Sequence, residues 1–210
     1  MEFWESSFAD KQTMWGFEPT ESSILTKAFF LENNVKDILI PGVGYGRNAK
    51  TFIDAGIQVT GIEISETAIH LARQQGLDFP IAHGSVTDMP FDEHLYDGIF
   101  CYALIHLLNR QEREQFIRNC YKQLKPNGYM VFTTVSPKAP MYGQGQQLDH
   151  NYYEIMEGLK MFFYDDEAIQ EEFGAYGQIE IYEIEEPNKI MKNKPSIPFL
   201  LIRCKKDELA

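Results

Sequence analysis

At 210 residues, with 44% hydrophobic, 13% aromatic and 24% charged side chains, the chain has the size and composition of one globular domain, which excludes wholesale disorder. Nineteen lysines and arginines against 31 acidic residues leave a formal charge of −12. That field repels phosphate backbones and anionic lipid, so neither nucleic acid nor a membrane surface is expected as a partner. The cysteines Cys101, Cys120 and Cys204 are odd in number and far apart, which suits reduced thiols, and Glu2, Glu5 and Asp10 stand where a secretory leader needs a basic flank. The expected location is therefore the cytoplasm. The longest uncharged apolar run, around Gly98–Asn109, falls short of the ~20 residues of a bilayer span. Lys206-Asp207-Glu208-Leu209 spells a retention tetrapeptide, but Ala210 follows it.

In chain order, the first 30 residues read as a helical preface. Val35–Pro41 is expected as a buried strand closed by a glycine-rich turn. Arg47–Ala55 is expected as a helix stopped at Gly56, and Gln58–Ile64 as a second strand. Ser65 is placed to cap a helix running to about Gln75. Pro80–His83 and Tyr96–Ala103 give a third and a fourth strand. Asn109-Arg110-Gln111-Glu112 resembles a capping box at the head of the clearest helix, which Lys125-Pro126-Asn127-Gly128 ends. Tyr129–Thr134 is a fifth strand. Ser136–Phe162 has weak periodicity and is too long for a plain connection, so it is expected as a lid or substrate loop. A short helix over Asp165–Phe173 precedes Ile179–Glu185 and Ile197–Arg203, expected as a hairpin across a Pro-rich turn. Strands alternating with helices predict an α/β domain with a mostly parallel sheet.

Ile38–Asn48 reads ILIPGVGYGRN, a strand, three glycines at alternate positions and a helix start. Glycine there lets backbone approach a ligand closely. A nicotinamide fingerprint needs its third glycine one residue later, where Arg47 stands, so a dinucleotide oxidoreductase fits badly. Glu63 ends the second strand 21 residues after Gly42, a position from which a carboxylate can accept from both hydroxyls of a ribose. The five histidines and three cysteines show no metal-ligand spacing, so no metal is expected.

The order ILIPGVGYG, VTGIEIS, HGSVTDMPF, YDGIFCYALIHLL, LKPNGYMVFTT resembles a class I S-adenosylmethionine-dependent methyltransferase over about Val35–Thr134. Pro41 before the first glycine, the GIEISE segment and the preface residues Phe3-Trp4 and Trp15–Pro19 are similar to the thiopurine and thiol methyltransferase branch. The resemblance implies a Rossmann-like fold with a seven-stranded sheet, helices on both faces and an antiparallel C-terminal hairpin. It also implies S-adenosyl-L-methionine as cofactor and a small-molecule methyl acceptor. By that resemblance Pro41, Gly42, Gly44 and Gly46 wrap the methionine portion, Glu63 holds the ribose, and Ile64 packs on the adenine. Ser85 reaches the adenine edge by its side chain and Val86 by its backbone amide, Cys101 and Tyr102 line the sulfonium and methyl end, and Trp15 closes over the cofactor. The chain departs from the family pattern at Ile40, where most members carry an acid, and at Ser85, where many carry aspartate.

The catalytic candidates are Tyr102, His106 and His150. His106 is either a substrate-orienting group or a packed histidine, and His150 lies in the long loop among Tyr142, Tyr152 and Tyr153. The weak base constellation favours a soft, sulfur-type acceptor, since a thiolate needs no general base whereas oxygen or nitrogen acceptors more often do. The alternative is a non-catalytic binder of S-adenosylmethionine or S-adenosylhomocysteine that keeps the cofactor motif and lacks an acceptor pocket.

Overall fold

Strands covered on both faces carry apolar side chains in both directions, and β1 (Asp37–Pro41) shows it. Leu39 enters one buried cluster, with Cys101, Phe116, Phe132 and Phe173, while Ile38 and Ile40 enter the other, with Phe30, Phe52, Phe100 and Val131. The computed structural model describes residues 2–13, 15–187 and 196–208. Their helices are α1 (Glu2–Lys11), α2 (Glu21–Glu32), α3 (Arg47–Ile53), α4 (Glu66–Gln74), α5 (Arg110–Lys122) and α6 (Asp166–Phe173). After β1 come β2 (Gln58–Glu63), β3 (Ile81–His83), β4 (Tyr96–Tyr102), β5 (Leu124–Val135), β6 (Gln146–Asp149), β7 (Tyr152–Met156), β8 (Leu159–Phe162), β9 (Gln178–Glu186) and β10 (Ile197–Lys205).

Seven strands form one sheet in the order β3-β2-β1-β4-β5-β10-β9. Pairing is parallel from β3 to β5, and β10 runs antiparallel to both β5 and β9. Parallel neighbours need a crossover, which α3, α4 and α5 supply. α5 and α6 bury Phe116, Ile117, Ile169 and Phe173 on one face, and α2 and α3 bury Phe30, Ala49 and Phe52 on the other. The Pro-rich turn expected between the last two strands lies outside the described residues.

The local start signals operate as read. Ser65 Oγ accepts from the Ala68 amide, and Asn109 with Glu112 makes both halves of a capping box. Two segments differ from expectation. Lys125–Gly128 does not simply end α5: the helix stops at Lys122, and these residues bulge within β5, whose pairing with β4 jumps from Tyr96–Leu124 to Gly98–Tyr129. Residues 136–162 are not a plain loop. Their second half is an antiparallel three-stranded sheet, β6-β7-β8, whose inner face buries Tyr153 and Met161 with Phe163 and Phe199. Short strands with one register shift in each pairing produce no clean alternation in sequence.

Candidate active site

In an open α/β sheet the carboxyl ends of the strands face the ligand. β1, β2, β3 and β4 end at Pro41, Glu63, His83 and Tyr102, with the glycine turn at the centre of that edge. Gly42, Gly44 and Gly46 take φ of +68°, +58° and +81°, the left-handed region that other residues enter at a cost. The amides of Gly42 and Val43 both donate to the Ile62 carbonyl, at 2.8 and 3.0 Å, stitching the turn to β2. A Cβ on Gly44 would meet only the Phe8 ring, 3.8 Å away, so the turn presents bare backbone beneath that ring.

Glu63 is 5% exposed and accepts three backbone hydrogen bonds, from Gly44 at 2.7 Å and from Ile64 and Ser65 at 2.9 Å. Burial nevertheless holds its carboxyl above the usual range, opposed by those amides. The carboxylate is thus fixed in orientation at the end of β2, and it ties the turn to the head of α4.

The other sequence candidates divide. Pro41, Ile64 and Trp15 join the glycines and Glu63 at this edge. Ser85 and Val86 follow β3; the Ser85 hydroxyl is engaged with Thr87 as the cap of a short helical turn, and the Val86 side chain packs into the core, which does not bear on the backbone-amide contact expected of it. Cys101 was expected to line the cleft. Its side chain instead points into the α5 face of the core, fully buried, with its thiol pushed well up by desolvation. The alternation of β4 explains this, because Tyr102 takes the opposite direction. The Tyr102 ring stacks on Phe199, at 5.9 Å and 4° between planes. Beyond it, Ala103 takes φ +50°, and its amide donates to both the Thr133 carbonyl and the Thr133 hydroxyl.

His106 is buried against Thr134 and Phe199, with its pKa pushed down to about 3 by desolvation. It is a packed, neutral imidazole. His150 sits exposed in the turn between β6 and β7, 3.9 Å from Asp165.

The preface lies across the turn. Phe8 is buried against Tyr45, and Trp15 stacks on Tyr45 at 6.4 Å and 15°. The Tyr45 hydroxyl donates to the Gly16 carbonyl at 2.7 Å, and Arg47 Nη1 donates to the Trp15 carbonyl at 3.0 Å. Glu5 accepts from the Ser65 and Thr67 hydroxyls at the head of α4, and these bonds lower its pKa. Tyr45, Arg47 and Glu5 are positions that sequence reasoning missed. The aromatic between two glycines was a usable signal, since a solvated turn has no need of it. A cleft of about 500 Å³ opens between Trp4 of α1, Leu107, Asn109 and Glu112 at the head of α5, and Tyr152, Leu159 and Lys160 of the inserted sheet. Trp4 lies 6.2 Å from Trp15, so the aromatic series leads from this cleft to the glycine turn. Among the described residues no group of three or more His, Cys, Asp or Glu is placed to hold a metal ion, and no helix is long and apolar enough to cross a membrane.

Known proteins resemble this chain in sequence and in fold. A protein-family model described as a methyltransferase domain matches residues 39–132. An uncharacterized methyltransferase of Oceanobacillus iheyensis is 27% identical over 147 residues, 63% of this chain and 69% of that one. A ubiquinone biosynthesis O-methyltransferase of Rickettsia conorii is 32% identical over 142 residues, 60% of this chain but only 48% of the relative. Among solved structures, the Burkholderia thailandensis 1,6-didemethyltoxoflavin N1-methyltransferase superposes with a TM-score of 0.74 at 16% identity, covering 98% of this chain and 86% of that one. A protein solved in work on converting a disulfide bond into a thioacetal group during echinomycin biosynthesis gives 0.74 at 14% identity, over 100% and 92%. The glycine turn between β1 and α3, the acid ending β2 and the reversed β10 fall together in one chain. Residues 39–132 match the methyltransferase domain model, and the chain as a whole takes the fold of solved S-adenosylmethionine-dependent methyltransferases.

Proposed function

We propose that this protein transfers the methyl group of S-adenosylmethionine to a small molecule through a soft, sulfur-type nucleophile. When bound, the cofactor supplies a methyl carbon already activated on a sulfonium. The residues present fit it: a glycine turn of bare backbone and a fixed, buried carboxylate at the end of β2. Glu63 would accept from the ribose hydroxyls, the turn would carry the methionine portion, and Tyr102 would stand at the methyl end. The preface aromatics would exclude water from the reacting atoms, and the cleft beside Trp4 would admit the acceptor. What remains for the protein is alignment of nucleophile and methyl carbon, a task that positioning alone can accomplish.

The state of the histidines carries the choice of acceptor. An imidazole whose conjugate acid has a pKa near 3 takes a proton poorly, and the Nδ1 of His106 is turned to Thr134 in the core. His150 projects from an exposed turn. A thiolate or related soft anion reacts without either group, and this supports the sulfur reading over one that requires proton abstraction.

The test is a methylation screen with labelled donor against thiols, phenols, amines and soft inorganic anions. Turnover of thiols or soft anions well above the rest is the expected result. Preference for phenols or amines would overturn the acceptor assignment. Tight S-adenosylhomocysteine binding with no transfer to any class would favour a non-catalytic binder instead.

A further inference from the structure

The cleft beside Trp4 carries more acid than base. It opens beyond the end of β4, on the same edge of the sheet as the glycine turn. The Leu104 side chain packs over Gly42, and Leu107, in the short helical turn that follows, lines the cleft. The charged lining is Glu112 from the head of α5, Glu154 from β7 and Lys160 from β8. Both glutamates are half-buried, and backbone amides fix both. Glu112 accepts from the Asn109 amide at 2.9 Å within the capping box, and Glu154 accepts from the Gly158 amide at 3.0 Å.

Among the described residues neither carboxylate takes part in an ion pair. Arg110 pairs instead with Glu114 and Glu171, and Arg113 with Glu172. Lys160 stands opposite Glu154 in the β7–β8 ladder, but it is exposed. Burial holds the pKa of the Tyr152 phenol above its usual range, and the fields of Glu112 and Glu154 push it the same way, against that of Arg113. Acids are plentiful in this chain, 31 in all, yet these two reach the cleft from separate elements and converge on one phenol. Half-buried carboxylates keep more of their attraction for a cation than solvated ones, because less water and salt screen them. The Trp4 and Tyr152 rings form further walls, and an aromatic face also attracts a cation.

We propose that the acceptor is an aminothiol, or a related soft nucleophile bearing a protonated amine, whose ammonium group Glu112 and Glu154 hold against the Trp4 and Tyr152 rings. The proposal rests on the sulfur reading above and deepens it by fixing the charge at the acceptor's other end. In the transfer, the thiol has given its proton to solvent and a sulfur lone pair forms the new S–C bond. The electron pair of the broken C–S bond stays with the departing sulfide, and the ammonium keeps its protons.

The test uses the whole chain with saturating S-adenosylmethionine and three small thiols: cysteamine, mercaptoethanol and mercaptopropionate. kcat/KM is measured for the wild type, Glu112→Gln, Glu154→Gln and Lys160→Gln, with circular dichroism as a check of folding. Glutamine keeps an acceptor for each backbone amide, suits a capping box and removes only the charge. Comparing variant with wild type for each thiol cancels the thiols' own differences in reactivity. Each glutamate change should cut kcat/KM for cysteamine about 10-fold, chiefly through KM, as expected for a lost charge-assisted contact. Mercaptoethanol should lose far less, and mercaptopropionate should gain. Lys160→Gln should keep or sharpen the preference for cysteamine. Equal losses for all three thiols, no loss for any, or a collapse of the preference in Lys160→Gln would overturn the proposal while the sulfur reading stands. A wild-type enzyme that favours mercaptopropionate would do the same. If no thiol is methylated, the sulfur reading falls and the proposal with it.

Discussion

Glu63→Gln tests how the edge of the sheet is built, because one side chain holds the turn and faces the proposed ribose position. The wild-type carboxylate accepts from Gly44 through one oxygen and from Ile64 and Ser65 through the other. A carboxamide replaces one acceptor with a donor. The less costly orientation keeps the oxygen on Ile64 and Ser65 and turns the NH2 towards the Gly44 amide, leaving that buried donor unpaired. One charge-assisted bond lost and one donor orphaned come to about 2–4 kcal/mol of folding stability. Against this, the neutral side chain escapes the desolvation that holds the Glu63 carboxyl above its usual range. The net loss is then about 1–2 kcal/mol, a fall in Tm of roughly 2–8 °C at this chain length. Binding should suffer more, since an amide NH2 cannot accept from a ribose hydroxyl, and S-adenosylhomocysteine affinity should drop about 10- to 100-fold. Differential scanning calorimetry and isothermal titration read the two effects separately. A lowered Tm with unchanged affinity would make Glu63 only a clamp for the turn, and no change in either would refute the account of this residue altogether.

Arg113→Met should be the most destabilising of the simple changes, by about 3–5 kcal/mol in urea unfolding, because it strands Glu172. The two form hydrogen bonds at 2.7 and 3.0 Å with both side chains 4% exposed, and the guanidinium lies 3.8 Å over the Phe162 ring. Loss below about 1 kcal/mol would refute that reading. His106→Asn should flatten the acid limb of the stability profile. With a folded pKa of about 3 against 6.5 unfolded, only the unfolded state takes the proton between those values, so wild-type stability falls by up to about 1.4 kcal/mol per unit as pH drops through that window. Parallel profiles for wild type and variant between pH 4 and 7 would contradict a desolvated neutral His106. Gly44→Val places a β-branched side chain at φ +58° and should abolish S-adenosylhomocysteine binding, an expectation that full affinity in a folded variant would disprove.

Local chemistry was sufficient to read the sheet-building half of this chain. Doubly buried strands such as β1 and β4 are apolar on both faces, Ser65 and Asn109 announce their helices, and the alternate glycines have no other economical use than a left-handed turn. Gly42 and Glu63 could be placed at one edge from sequence because parallel crossovers force consecutive strands to end on the same side. What the sequence leaves open are the facts that depend on contact between distant segments. The inserted sheet packs through Tyr153, Met161 and Phe163 against Phe199, some 36–46 positions away, and short strands of shifted register carry no periodic signature. Cys101 and Tyr102 are neighbours in the chain, and a strand's alternation dictates only that they part; which of them faces the cleft is set by which face α5 covers. The charge state of His106 is likewise a property of the core that closes round it.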